Sequence, residues 1–139
     1  MRIETSVEIE ASVAQVWALL GDTSTYEAWN PLTPRVDGEL AVGADVTLHV
    51  RLGGMKLKRV HTVSRFEQDT AVCWTIKPSF WMHGERCQTL TPTQTGCTYA
   101  NVEVVEGLLG PLVGLFYGGT IRRSLEAVGE GLKRRAEGG

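Results

Sequence analysis

The chain has 139 residues, which predicts a single domain, residues 1–139, with a core large enough to enclose a pocket. Hydrophobic residues make up 42% and charged residues 22%, as in ordinary soluble globular proteins. The formal net charge of −2 predicts no overall attraction for nucleic acid or anionic lipid. The N-terminus is charged, and no segment approaches the roughly 18 apolar residues of a spanning helix. We therefore expect a cytoplasmic protein without a membrane span.

The first strand and helix are marked by a change in hydrophobic period. Residues 2–9 alternate between apolar and polar, which is typical of a strand with one buried face. Ser12 and Gln15 then form a capping box, and the apolar residues of 13–20 recur at helical spacing. A second short helix is predicted over 23–29, where Asn30-Pro31 ends it.

Six strands and one long helix account for the remaining chain. Alternating segments separated by turn residues predict strands near 34–37, 44–52, 56–66, 70–77, 82–91 and 97–106. Helical periodicity returns from Leu108 to Arg135, with a predicted apolar stripe at Leu112, Leu115, Phe116, Ile121, Leu125, Val128 and Leu132. A single antiparallel sheet needs one face covered, and only this helix is long enough to cover it.

The cysteines and histidines give no metal motif. Cys73, Cys87 and Cys97 follow no metal-ligand spacing, and His49 and His83 lie on segments expected to be exposed. We expect reduced thiols, no metal and no cofactor. Cys73 and Cys87 fall on neighbouring predicted strands, so a disulfide between them is the alternative.

Turn positions fix which residues face inward. A tight turn at Gly53-Gly54 pairs Leu48 with Arg59 and Val46 with His61, which turns Arg59 and His61 towards the helix. In the last hairpin, Leu90 opposite Tyr99 places Gln88 opposite Asn101 and Arg86 opposite Glu103. Alternation alone leaves open whether this ion pair lies on the wet face or the inner face.

The order of elements and several motifs resemble the START-like superfamily, specifically its polyketide cyclase/dehydrase or SRPBCC-type branch. The segments that carry the resemblance are 16–22, 26–31 (YEAWNP), 72–74, 84–86, 95–99 and 103–109, together with the helix of 112–135. The resemblance implies an α+β helix-grip fold like that of Bet v 1. Such a fold has a curved seven-stranded antiparallel sheet around a long C-terminal helix, with two short helices after the first strand and a cavity between sheet and helix.

The resemblance also implies that the cavity holds a lipid, a polyketide or another largely apolar compound. In relatives the last strand turns a glutamate inward, which favours an inner Glu103. The residues we expect to contact ligand are Trp29, Arg59, His61, Trp74, Arg86, Tyr99, Glu103 and Phe116. Trp17, by contrast, lies at helical spacing and is expected in the core.

Three functions remain open at this point, because fold alone does not decide function. The first is binding of an apolar small molecule by a monomer or homodimer. The second is a cyclase or dehydratase in which His61, Arg86 or Tyr99 assists proton transfer. The third is a non-catalytic interaction or helper module that uses the loop at Phe80 and Trp81.

Glycine is concentrated in the long helix and around it. Nine of the 16 glycines lie in residues 107–139, and Gly114, Gly118 and Gly119 cluster in the first half of the helix. Each costs up to about 1 kcal/mol of helix stability relative to alanine. We expect either close packing of the helix backbone on the sheet or a helix end that moves to admit ligand.

Overall fold

The computed structural model describes residues 1–77 and 79–138, so Pro78, in the predicted loop that contains Phe80 and Trp81, and Gly139 lie outside the described residues. The elements are β1 (Arg2–Ile9), α1 (Val13–Leu20), a short 3₁₀-helix (Thr23–Ala28), β2 (Arg35–Asp37), β3 (Asp45–Leu52), β4 (Met55–Glu67), β5 (Ala71–Ile76), β6 (His83–Pro92), β7 (Cys97–Glu106) and α2 (Gly110–Glu137). Every predicted element is present, and each strand begins and ends within one residue of its predicted bounds.

The seven strands form one antiparallel sheet in the order β1-β7-β6-β5-β4-β3-β2. The first and last strands of the chain are neighbours, and α2 packs mainly against them. The predicted pairings of Leu48 with Arg59 and of Arg86 with Glu103 are confirmed. A bulge between Val63 and Arg65 in β4 shifts the register, so that Phe66 pairs with Val72. Together these elements form the helix-grip architecture.

The two short helices join the sheet to α2. Ser12 caps α1 and forms the predicted capping box with Gln15. Buried Tyr26 of the 3₁₀-helix donates its hydroxyl to the Leu20 carbonyl at 2.6 Å, which ties the two helices together. The Trp17 ring lies 5.3 Å from that of Phe66, so this tryptophan packs against β4, although it is only half-buried.

The predicted apolar stripe of α2 is correct only in the second half of the helix. Ile121, Leu125, Val128 and Leu132 are buried in the core. The first half contradicts the prediction, because Leu112, Leu115 and Phe116 are 49%, 76% and 70% exposed. An α-helix turns about 100° per residue, so Leu112, nine residues before Ile121, lies half a turn away from it. The predicted stripe therefore combined residues from two different faces of the helix.

The structure joins Cys73 of β5 to Cys87 of β6 in a disulfide, which corrects the expectation that both are reduced thiols. The two residues are directly opposite each other in the sheet, as the alternative required. Cys97 is a buried free thiol. In the part of the chain that the structure describes, no helix has an apolar stretch long enough to span a membrane.

Candidate ligand-binding site

Two rows of inward-facing side chains cross the sheet from β4 to β1. One row consists of Val63, Trp74, Arg86, Glu103 and Ile3. The next consists of Phe66, Val72, Gln88, Asn101 and Thr5. Apolar residues of both rows belong to the same core as Leu125 of α2, which identifies this face as the one that α2 covers.

Arg86 and Glu103 form an ion pair on this inner face. The Arg86 Nε donates to the Glu103 carboxylate at 2.6 Å, and the two side chains are only 15% and 17% exposed. Placing both charges away from water costs solvation, and close hydrogen-bonded pairing offsets that cost. Nε is one of five N–H donors on the guanidinium, and the described residues provide no acceptor for the others. Arg86 therefore keeps donors for a ligand oxygen.

His61 lies two residues before Val63 on β4 and is held neutral. Its pKa is lowered from 6.5 to about 4, mainly by burial of the ring and also by the positive charges of Arg86 and Arg59, which together outweigh the hydrogen bond to the Arg59 carbonyl. Nδ1 lies 3.3 Å from that carbonyl, which can only accept, so Nδ1 carries the proton. The lone pair on Nε2 is therefore available as an acceptor or a base at neutral pH.

Arg59 lies at the margin of the site. Its side chain is exposed and donates to the Lys58 carbonyl at 3.0 Å. It faces the same side of β4 as His61, as predicted.

Tyr99 belongs to a buried hydrogen-bonded chain. Its hydroxyl donates to Gln88 Oε1 at 2.7 Å and accepts from Asn101 Nδ2 at 3.1 Å. Burial raises the pKa of the Tyr99 hydroxyl, so it stays protonated at neutral pH. This hydrogen-bonded chain fixes the orientation of all three side chains. Gln88 and Asn101 were not among the predicted site residues.

Two buried polar atoms next to the ion pair have no partner among the described residues. They are the indole N–H of Trp74 and Oδ1 of Asn101. Trp74 is directly opposite Arg86 on β5, and Asn101 is two residues from Glu103 on β7. Leaving such groups unpaired costs roughly 1–3 kcal/mol each, so the site offers one donor and one acceptor to an incoming oxygen group.

Trp29 and Phe116 do not join this cluster. The Trp29 ring is buried against Tyr26, with centroids 4.9 Å apart, and its indole N–H donates to Thr25 Oγ1 at 3.0 Å. Phe116 is 70% exposed on the outer side of α2. Five of the eight predicted residues, His61, Trp74, Arg86, Tyr99 and Glu103, are therefore neighbours on the inner face.

The first half of α2 leaves room above the sheet. Gly114 and Gly118 lie seven residues before the buried Ile121 and Leu125, so they occupy the same side of the helix. A Cβ added at Gly118 would meet no atom within 4 Å, whereas one at Gly114 would meet the side chain of Met1. Tyr117, four residues before Ile121, is a large side chain on the same side of the helix, so the open space lies beside Gly118.

A separate groove of about 730 Å³ lies where the 3₁₀-helix and β2 meet the β3–β4 hairpin. Its lining includes Arg35, Arg51, Lys56 and Lys58, and none of the eight predicted residues. This groove was not predicted from the sequence, although Arg51 and Lys56 are directly opposite each other, an unfavourable like-charge pairing. Among residues 1–77 and 79–138, no three potential metal ligands come together.

Comparison with known families identifies the chain. The model of the family described as polyketide cyclase / dehydrase and lipid transport matches residues 1–137. The chain belongs to this family. The match confirms the START-like, SRPBCC-type assignment made from the order of elements and the motifs.

Solved structures of other proteins have a similar fold. A protein from Mesorhizobium loti is 19% identical with a TM-score of 0.77, covering 96% of this chain and 95% of its own. A START superfamily protein from Mycobacterium smegmatis is 20% identical with a TM-score of 0.75, covering 99% and 97%. The protein Ara h 8.0201 is 9% identical with a TM-score of 0.73, covering 100% and 99%. No curated protein sequence matches the chain.

Proposed function

We propose that this SRPBCC-type protein binds a largely apolar small molecule that carries one or two oxygen functions. The ligand lies between the first half of α2 and the inner face of the sheet. The observation that supports this most strongly is the buried Arg86–Glu103 pair beside two unpaired polar atoms, on Trp74 and Asn101. A carbonyl or hydroxyl oxygen would accept from Arg86 and Trp74, while apolar neighbours such as Val63 and Ile3 contact the ligand body.

The proposal is tested by titrating lipid-depleted protein with cis-parinaric acid, a fluorescent fatty acid, without vesicles or detergent. We expect saturable binding that is about tenfold weaker or more in Arg86→Met, since a hydrogen bond from a charged group contributes roughly 1.5–3 kcal/mol. Arg65→Met is the matched control, because Arg65 is an exposed arginine paired with Glu67 on β4. Circular dichroism checks that both variants are folded. Absence of saturable binding in the wild-type protein contradicts the proposal.

A second candidate is a cyclase or dehydratase, and the neutral, half-buried His61 favours it. His61 Nε2 would remove a proton from a carbon between two carbonyl groups while Arg86 stabilises the resulting enolate oxygen. Tyr99 is the third predicted participant, but its hydroxyl is already engaged by Gln88 and Asn101. This candidate predicts that His61→Gln binds a poly-β-ketone analogue but loses its turnover; turnover equal to wild type removes it.

The proposed location is the cytoplasm, as expected from the sequence. The Cys73–Cys87 disulfide is typical of oxidising compartments, and so it counts against this location. Alkylation of protein trapped in cells with acid, followed by mass spectrometry, measures the fraction of the two thiols that is oxidised. A fully oxidised pair in freshly trapped cells argues against a cytoplasmic protein.

A further inference from the structure

The first half of α2 has an apolar face that the sheet does not cover. Leu112, Leu115 and Phe116 lie on the side of the helix opposite the buried stripe, and two of them are at least 70% exposed. They cannot line the ligand site, because the sheet-facing side of this half carries Gly114, Tyr117 and Gly118 instead. The same side of the helix becomes polar after Phe116, with Arg123 two turns further on.

The loop between β5 and β6 extends this apolar surface. Phe80 and Trp81 are 77% and 57% exposed and contact each other edge to face, with ring centroids 5.2 Å apart. The Trp81 carbonyl accepts from the Leu109 N–H at 2.9 Å, which fixes the loop to the start of α2. We call the combined surface the apolar patch; it consists of Phe80, Trp81, Leu108, Leu109, Leu112, Leu115 and Phe116.

Charge is distributed unevenly around the apolar patch. Residues 107–125 contain Arg122 and Arg123 and no acidic residue. Residues 46–63, the part of the β3–β4 hairpin between Asp45 and Ser64, contain four cations, Arg51, Lys56, Lys58 and Arg59, and again no acidic residue. The two segments meet, since a Cβ at Gly53 in the hairpin turn would lie 3.2 Å from the Thr120 methyl. In the part of the chain described, none of these six cations forms a salt bridge.

These two segments therefore differ sharply from the remaining chain. They hold six of the 14 Lys and Arg residues and none of the 16 acidic residues, which leaves eight cations against 16 acids elsewhere, a charge of −8. The net charge of −2, read alone, hides this asymmetry. The net charge predicted no attraction to anionic lipid only because it averages a basic region with an acidic remainder.

We propose that the apolar patch docks on a lipid surface that contains anionic lipids. Leucine and aromatic side chains on an exposed helix face insert between headgroups without needing a complementary partner surface, and Arg122 and Arg123 of the same helix are attracted to anionic lipid. A second copy of this chain fits less well, because a two-fold contact would bring two basic regions together. The inference does not depend on the proposed ligand site.

The experiment is vesicle flotation of the full chain with phosphatidylcholine vesicles and with vesicles that also contain phosphatidylglycerol. We expect flotation with the anionic vesicles, decreasing as salt is raised, and little with phosphatidylcholine alone. Leu112→Ser/Leu115→Ser should weaken partitioning about tenfold or more. Its matched control is Val42→Ser, at an exposed apolar residue outside the apolar patch.

The charge contribution is tested within α2 alone. Arg122→Gln/Arg123→Gln should weaken partitioning about tenfold or more, since each cation near an anionic surface contributes roughly 1 kcal/mol. Arg134→Gln/Arg135→Gln removes the same charge from the far end of the helix and should leave partitioning unchanged. Equal flotation with both kinds of vesicle, or equal loss in both arginine variants, overturns the proposal. Concentration-dependent self-association that Leu112→Ser/Leu115→Ser abolishes would identify a second copy as the occupant and overturn it as well.

Discussion

At the scale of single residues, His61 links the fold to pH. Burial and the charges of Arg86 and Arg59 lower its pKa from 6.5 to about 4. Between these two pH values the unfolded chain binds a proton at His61 and the folded protein does not. Stability is therefore lost as pH falls from about 6.5 to about 4. We expect this histidine to account for about 1–3 kcal/mol of the loss, allowing for partial solvent screening.

The matched variant is His61→Gln, which keeps a polar side chain but does not titrate. Urea unfolding measured across this pH range should show a steeper decrease for the wild-type protein than for the variant. Carboxyl groups with lowered pKa contribute equally to both proteins and cancel in the comparison; they are Asp37, Asp45, Glu67 and Glu137. Parallel pH profiles would show that His61 is not desolvated as described.

The Arg86–Glu103 pair gives a second prediction at this scale. Arg86→Met removes the cation and leaves a largely buried carboxylate alone, so the free energy of unfolding should fall by about 2–4 kcal/mol. Arg86→Met/Glu103→Leu removes both charges and should recover most of that loss. Chemical denaturation of the two variants measures the difference; a double variant no more stable than the single one contradicts this description of the pair.

At the scale of elements, the glycines of α2 have two different roles. A Cβ at Gly118 meets nothing, so Gly118→Ala should stabilise the protein by about 0.5–1 kcal/mol through helix propensity alone. A Cβ at Gly131 would overlap the Trp29 carbonyl oxygen, so Gly131→Ala should destabilise the protein by more than about 2 kcal/mol. Thermal unfolding distinguishes the two. If Gly118→Ala also leaves ligand association and dissociation rates unchanged, the moving-helix interpretation is wrong.

Local patterns explain which parts of this fold were predictable. The register of β3 with β4 followed from the turn at Gly53-Gly54, because a two-residue turn fixes every pair behind it. The inward position of His61 followed in the same way. The exposed apolar face of α2 was not predicted, because a leucine on either side of a helix counts equally as an apolar residue. Only its angle around the helix axis from Ile121 shows on which side it lies.

The partners of each predicted site residue required the three-dimensional structure. Trp29 and Trp74 are both buried aromatics, yet only Trp29 finds an acceptor, the hydroxyl of Thr25 four residues earlier. Tyr99 was a candidate to assist proton transfer, but its hydroxyl is hydrogen-bonded to Asn101 on the same strand and to Gln88 on the neighbouring strand. Such differences depend on side-chain geometry, which the periodicity of apolar residues in the sequence does not predict.

At the scale of the whole molecule, the sheet and α2 together separate two kinds of surface. The inner face combines apolar side chains with the hydrogen-bonded polar residues Arg86, Glu103, Gln88 and Asn101, and open space lies beside Gly118 of the helix half that covers it. The outer side of the same helix half carries the apolar patch. One element thus makes room for a small molecule inside and presents an apolar surface outside.

The most direct test of the central claim is the indole N–H signal of Trp74 in ¹H–¹⁵N NMR spectra. Four tryptophans give four such signals, and Trp74→Phe and Trp29→Phe assign the two that matter. On titration of lipid-depleted protein with a fatty acid, we predict that the Trp74 signal moves downfield as its N–H gains an acceptor. The Trp29 signal, already bonded to Thr25, should stay in place. Binding that leaves the Trp74 signal unmoved would contradict the proposed ligand site.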